Sequence, residues 1–236
     1  MNLQELRKKS IAFTRGKIRE AIKEDVFIIQ LVAHIEDLDR ILNMLIKRLR
    51  DWYELTLPEV SNLIIKQEDF VDIIRKERKN LMQQFDIKES MGKEFSKKDL
   101  ESLELLRQEC EKIIQLREKQ TQKLNELMQK HYPNLTTLAG GLIGGKLIEL
   151  AGGMKKLIEF PSSTIQILGA EKALFRHIKF GARPPKYGVL LGHEYVASSK
   201  QKAKAAGRLA DKISIAAKVD YFKGEFVGDK LKRMLK

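Results

Sequence analysis

Between Lys172 and Tyr187 the chain carries Lys172, Arg176, Lys179, Arg183 and Lys186, and not one acidic residue. Lys172, Arg176 and Lys179 stand four and three apart, which places them on one face of a helix. Arg183-Pro-Pro-Lys-Tyr-Gly188 follows as a stiff loop presenting two cations and one aromatic ring. Cations held beside an aromatic ring suit phosphate contacts plus base stacking, so RNA binding is the chemistry expected here. A second basic run, Lys200, Lys204, Arg208 and Lys212, recurs at four and winds slowly round a helix. The plain alternative for both runs is a solvated basic surface, and their spacing does not say whether they converge.

Other residue types offer less chemistry. His34, His131, His177 and His193 show no metal-ligand spacing with Cys110 or with acidic clusters. His177 and His193 lie near the basic runs, where stacking or phosphate bonding is expected of them. Gly140 through Lys146 fits G-x-x-x-x-G-K, but Leu147 stands where a magnesium-binding Ser or Thr belongs and no apolar strand precedes it. The small residues between Leu138 and Gly153 read instead as a helix whose glycine face admits a close neighbour. No nucleophile elbow or dinucleotide fingerprint occurs. The expectation is a chain that is not an enzyme and takes no cofactor or metal. One cysteine excludes an internal disulfide. The start, MNLQELRKKSIAFTRGK, has no apolar stretch and is not read as a signal peptide, and no uncharged apolar run reaches bilayer length.

The elements that must position these residues fall into two kinds. Of 236 residues, 45 are basic and 32 acidic, giving +13. The first 130 hold 26 basic and 24 acidic side chains, the remaining 106 hold 19 and 8, and 13 of the 15 glycines lie in the second part. The first part reads as long helices. Ile28, Leu31, Ile35, Leu38, Leu42, Leu45, Leu49 and Trp52 alternate spacings of three and four, an a/d seam. Leu103, Leu106, Cys110, Ile113, Gln120, Leu124 and Leu127 form a second, looser one. Two helices of about 30 residues are expected to pair antiparallel. Between them lie a periodic piece, Val60 to Phe85, opened by Pro58-Glu59, and a loop, Asp86 to Lys98, ending in a helix start. In the second part, Pro161-Ser-Ser-Thr-Ile-Gln166 predicts a helix start with a Ser163/Gln166 capping box. That helix should run to about Lys179 or Phe180, with Gly181 as its C-cap and Ile165, Leu168, Leu174, Phe175 and Ile178 as its apolar set. A further helix is expected from Ser198 to about Val219. The predicted fold is all-α: a coiled-coil hairpin for self-association over 1–132, then a compact helical module over 133–236.

Ser162-Ser-Thr-Ile-Gln-Ile-Leu-Gly-Ala-Glu-Lys-Ala-Leu-Phe-Arg-His177, followed by Gly181-Ala-Arg-Pro-Pro-Lys-Tyr-Gly188, resembles the signature of the Nop domain family. Arg48-Leu-Arg-Asp-Trp-Tyr53 with Pro58-Glu59, and Lys212 to Tyr221, resemble its first coiled-coil helix end and its last helix. The resemblance covers roughly Ser10 to Lys236. It implies an RNA-binding scaffold of a box C/D guide ribonucleoprotein that recognises a kink-turn RNA jointly with a ribosomal-type kink-turn-binding protein. Gly169, Ala170, Glu171 and Ala173 would face that protein, and Lys172, Arg176, Lys179, Arg183, Lys186, His193, Lys200, Lys204 and Arg208 the RNA. The family's coiled coil implies a homodimer. RNA 2′-O-methylation belongs to a separate enzyme, fibrillarin, whose docking domain precedes the hairpin in the family and is not seen before Met1. The Glu171-Lys-Ala-Leu-Phe175 form resembles the archaeal and nucleolar guide proteins rather than the spliceosomal branch, and the short basic end, Lys230 to Lys236, favours an archaeal source, which implies a cytoplasmic protein; a eukaryotic one would be nucleolar. A spliceosomal-type kink-turn binder for another RNA, or a structural coiled coil with non-specific polyanion binding, are the alternatives.

Overall fold

The computed structural model describes residues 3–235, and these form an all-α chain. In order come α1 (Leu3–Ala21), α2 (Glu24–Tyr53), α3 (Pro58–Leu63), α4 (Gln67–Ile73), α5 (Arg78–Gln84), α6 (Lys97–His131) and α7 (Pro133–Ala151). Then follow α8 (Met154–Glu159), α9 (Ser162–Ile167), α10 (Glu171–Phe180), a 3-10 turn (Val189–Gly192), α11 (Glu194–Ala197), α12 (Lys202–Tyr221) and α13 (Gly228–Arg233). Two compact units result: residues 34–122, and residues 1–33 together with 123–236. The parting differs from a single cut at 132/133, because α2 and α6 each contribute to both units.

In the unit of residues 34–122, the seam of α2 buries Leu38, Leu42 and Leu49. Towards its end Ile46 and Tyr53 take the inner positions, while Trp52 is left 41% exposed. The cause is periodicity: a straight helix of 3.6 residues per turn drifts off a 3.5 pattern by about 20° per heptad. The periodic piece between the long helices becomes α3, α4 and α5, whose Val60, Phe70, Val71 and Leu81 join Leu103 and Cys110 of α6 in one core. Arg50 fastens the short helices, stacking on Phe70 at 4.2 Å and donating to the carbonyls of Ser61 and Ile64. Glu59 accepts from Ser90 Oγ at 2.8 Å and from the Met91 amide at 2.9 Å, pinning the loop. That loop ends where Ser96 and Asp99 bond reciprocally at the start of α6.

In the unit of residues 1–33 and 123–236, α7 carries the close approach its glycines foretell. A Cβ on Gly145 would lie 2.9 Å from Val32 Cγ2 and 3.4 Å from Leu124 Cδ1, and one on Gly144 would lie 2.9 Å from Met128 Cε. Gly140, at φ 74° and ψ 165°, kinks this helix, and the rest of the G-x-x-x-x-G-K stretch, Gly141 to Lys146, is helical rather than a loop. Asp220 of α12 caps α7: its carboxylate accepts from the Asn134 amide (3.1 Å), Asn134 Nδ2 (2.8 Å) and the Leu135 amide (2.8 Å). Burial lifts this carboxyl above its usual pKa, while the three donors pull the other way. Ala205, Ala206, Ala210, Ala216 and Ala217 keep α12 slim enough to pack centrally against α7, α8 and α9. α1 buries no residue.

Candidate nucleic-acid interface

The predicted helix from Pro161 to Phe180 is two helices. α9 stops at Leu168, which is extended (φ −53°, ψ 133°), and Gly169 follows at φ 86°. The Val189 amide bonds the Leu168 carbonyl at 2.8 Å, and Val189 Cγ1 sits 2.5 Å from where a Gly169 Cβ would be. Only glycine permits both the turn and the approach. The capping box is also absent. Pro161 is the N-cap, its carbonyl accepting from Thr164 and Ile165, and Ser163 already lies inside α9. Gln166 bonds elsewhere: its Nε2 donates to the carbonyl of Lys186 at 2.7 Å and to that of Ala203 at 3.3 Å. One amide therefore ties the 181–188 loop to the first turn of α12.

α10 begins with Glu171 Oε1 accepting from the Gly169 amide at 2.6 Å and ends at Gly181, left-handed at φ 65°, the C-cap its position predicts. Its expected apolar set divides. Ile165 and Leu168 are buried and Leu174 is half-buried, whereas Phe175 is 59% and Ile178 75% exposed; Phe180, outside that set, is 70% exposed, and α10 buries nothing. Lys179 Nζ lies over both Phe175 (5.5 Å) and Phe180 (5.4 Å), so ammonium and rings form one surface. His177 Nδ1 meets the Ala182 carbonyl at 2.5 Å and folds the loop back on the helix. Lys172, Arg176, Lys179, Arg183 and Lys186 are exposed, as are Gly169 and Glu171, while Ala170 and Ala173 are half-buried beside them.

The second basic run is displaced from its predicted helix. Ser198 to Gln201 form a turn after α11, with Ser199 Oγ accepting from the Gln201 amide, so Lys200 precedes α12. Lys200, Lys204 and Arg208 nevertheless converge with Tyr195 and Ser199 around a cavity of about 290 Å³. Lys212, further along the winding ridge, is half-buried and outside it. None of the eight exposed cations of the two runs, Lys172 to Arg208, pairs with a carboxylate among the described residues. His193 has a different setting from the cations. Its Nδ1 accepts from the Tyr195 amide at 3.2 Å, capping α11, and it bonds the backbone at Leu138. Burial holds its pKa below the usual value, which keeps the ring neutral. The Gln166 bridge and the exposed rings of α10 are the features sequence reasoning missed. The polarity switch in Leu-Phe-Arg-His-Ile-Lys-Phe180, apolar on both sides of the basic face, is the signal that could have found the rings.

The comparisons with known proteins follow this geometry. A family profile described as "snoRNA binding domain, fibrillarin", the Nop family, matches residues 34–236. A NOP5 family protein of Methanocaldococcus jannaschii is 38% identical over 98% of this chain and 61% of its own length. Nucleolar protein 56 of Dictyostelium discoideum is 36% identical over 89% of the chain and 44% of its own length. For nucleolar protein 58 of Schizosaccharomyces pombe the values are 36%, 84% and 43%. The chain thus spans less than two thirds of each of these relatives. Among solved structures, a chain of the fibrillarin/Nop5p complex superposes with a TM-score of 0.56 and 26% identity, covering 98% of this chain and 77% of that one.

Proposed function

The chain belongs to the Nop family, and on that premise we propose that it is an RNA-binding scaffold of a box C/D guide ribonucleoprotein. α10 and the 181–188 loop contact a kink-turn RNA together with a ribosomal-type kink-turn-binding protein. The observation that carries this is the surface of α10: Lys172, Arg176 and Lys179 are unpaired on a helix whose Phe175, Ile178 and Phe180 are equally uncovered. Phosphates account for the cations, and a protein partner for the apolar residues beside Gly169, Ala170, Glu171 and Ala173. Arg183 and Lys186 extend the phosphate path, and the Gln166 bridge brings it towards Lys200, Lys204 and Arg208. His193 contributes by holding α11, the element that presents Tyr195 to that cavity. The hairpin of α2 and α6 supports self-association as a homodimer. Fibrillarin, the methyltransferase, joins through the family's N-terminal domain, and this module supports 2′-O-methylation without performing it. The assembly works in an archaeal cytoplasm, or in the nucleolus for a eukaryotic bearer.

The test is a gel-shift titration on a box C/D kink-turn RNA with and without the kink-turn protein. A supershift that requires that protein is expected, and Arg176→Glu with Lys179→Glu should weaken it about tenfold or more. Equal binding to a scrambled RNA, indifferent to the second protein, overturns the proposal.

A further inference from the structure

We propose that the cavity at the C-terminal end of α12 is a second RNA contact, in which Lys23, Lys155 and Lys223 take a backbone phosphate of a single-stranded segment while a base stacks on Phe222. The inference rests on RNA being the partner of this chain and adds a site to that reading. On α12 the lining residues Asp220 and Tyr221 follow Lys204 and Arg208 of the other cavity by roughly four turns, about 20–25 Å along the helix. One nucleotide cannot reach both.

The end of α12 is built in an unusual way. The Lys223 amide bonds the Asp220 carbonyl at 3.2 Å and the Gly224 amide bonds the Val219 carbonyl at 2.9 Å, the double bond of a Schellman cap. The left-handed position of that cap belongs to Lys223, at φ 56°, although glycine is the unstrained residue there and Gly224 stands one place too late to serve. The strained lysine reaches the rim of a cavity of about 310 Å³ that Lys23 and Lys155 also line. Three carboxylates share the lining, and two of them are turned to donors of the fold. Asp220 caps α7, Asp25 accepts from the Met154 amide at 3.0 Å, and Glu24 is held by its backbone and by His131 at 3.9 Å. No carboxylate lies within ion-pair distance of the three ammoniums among the described residues. The three ammoniums keep donors free for a phosphate, and Glu24, whose carboxylate Lys223 and Lys23 also attract, is the acceptor a phosphate must stay clear of.

Phe222 supplies the stacking surface. It is 72% exposed and stands edge-on to Tyr221 at 5.2 Å, which fixes the ring while leaving a face open. Phe226, in the segment between α12 and α13, is exposed as well. Phe222 lies outside the lining but directly between Tyr221 and Lys223, which belong to it, so an open ring adjoins a cavity bearing ammoniums, the pairing used by single-strand binders.

Fluorescence anisotropy on the full chain with labelled oligouridine tests this, run beside the kink-turn supershift. Phe222→Ala should weaken oligouridine binding about fivefold to thirtyfold. Lys223→Gly is the sharper variant. It should raise the melting temperature by relieving the left-handed lysine, yet lower affinity and flatten the log-log salt slope by about 0.7. A 4-thiouridine probe should crosslink to the Tyr221–Phe226 segment. Unchanged affinity and slope in both variants, or crosslinks confined to α10 and its loop, overturn the inference. Wild-type chain that binds oligouridine here but gives no supershift leaves this site standing and sinks the kink-turn reading. Wild-type chain that binds neither RNA sinks both.

Discussion

Residues 34–122 and the unit of residues 1–33 with 123–236 solve the packing of helices in opposite ways. The former fills its interior with large side chains, Leu42, Ile46, Leu49, Phe70 and Leu81, and settles its charges internally. Arg107 bonds Glu104 and Glu111 at 2.7 and 2.9 Å, and Arg117 bridges Asp39 and Glu68. The latter packs backbone against side chain through Gly144, Gly145 and a row of alanines, and it leaves the eight exposed cations of its two basic runs unmatched. A region whose acidic and basic side chains nearly balance presents little net attraction to an anion. One that withholds carboxylates stays basic at the expense of self-repulsion, and it needs tight, polar-anchored packing to hold.

Truncating each region's anchor tests that contrast most strongly. Phe70→Ala should lose about 3–5 kcal/mol in chemical denaturation, because it removes both a buried ring and the platform under Arg50. Asp220→Ala should lose about 3 kcal/mol by stranding the donors of Asn134 and Leu135, with Asp220→Asn recovering part of it. If Asp220→Ala proves nearly neutral, the buried clasp is not what anchors the basic unit. A smaller effect is expected of Gly145→Ala, about 1–3 kcal/mol from the crowding of Val32 and Leu124. The same glycine-to-alanine change at half-buried Gly16, where a Cβ meets nothing within 4 Å, should stabilise α1 instead. Opposite signs in thermal melts would sharpen the comparison.

The weakest effect concerns pH. His193 has a folded-state pKa held below the unfolded value of about 6.5. Below that value the unfolded chain binds the proton first, so stability should fall as pH drops from about 7 and level off below the folded pKa. His193→Asn keeps an acceptor for the Tyr195 amide and should flatten the pH dependence of the melting temperature. An unaltered profile would show that other groups set it.

Much of this architecture was legible in the chain. Heptad spacing places α2 and α6, the glycines of α7 announce a close neighbour, and the gap in acidic residues marks the exposed cations. What was not legible depended on partners distant in sequence. Gln166 three residues after Ser163 satisfies a local rule, but carbonyls at Lys186 and Ala203 compete for its amide. Leu168-Gly169 could continue a helix until Val189 takes the Leu168 carbonyl. Phe175 and Ile178 sit at core-like spacing, yet no element packs over them. Spacing records which residues share a face; it does not record whether that face is covered.

The glycine ridge of α7 has a bearing on how tolerance to mutation is interpreted. Every substitution at Gly141, Gly144 or Gly145 adds atoms where Asn125, Met128, Val32 and Leu124 already stand. A saturation scan would therefore score these positions as intolerant as any residue that touches RNA, with almost no ranking among the replacements. The exposed lysines should show the opposite profile: mild losses, graded by charge and lessened by arginine. Intolerance without chemical preference is the signature of a position where the fold uses missing volume, and it separates the packing glycines from the exposed cations in a single experiment.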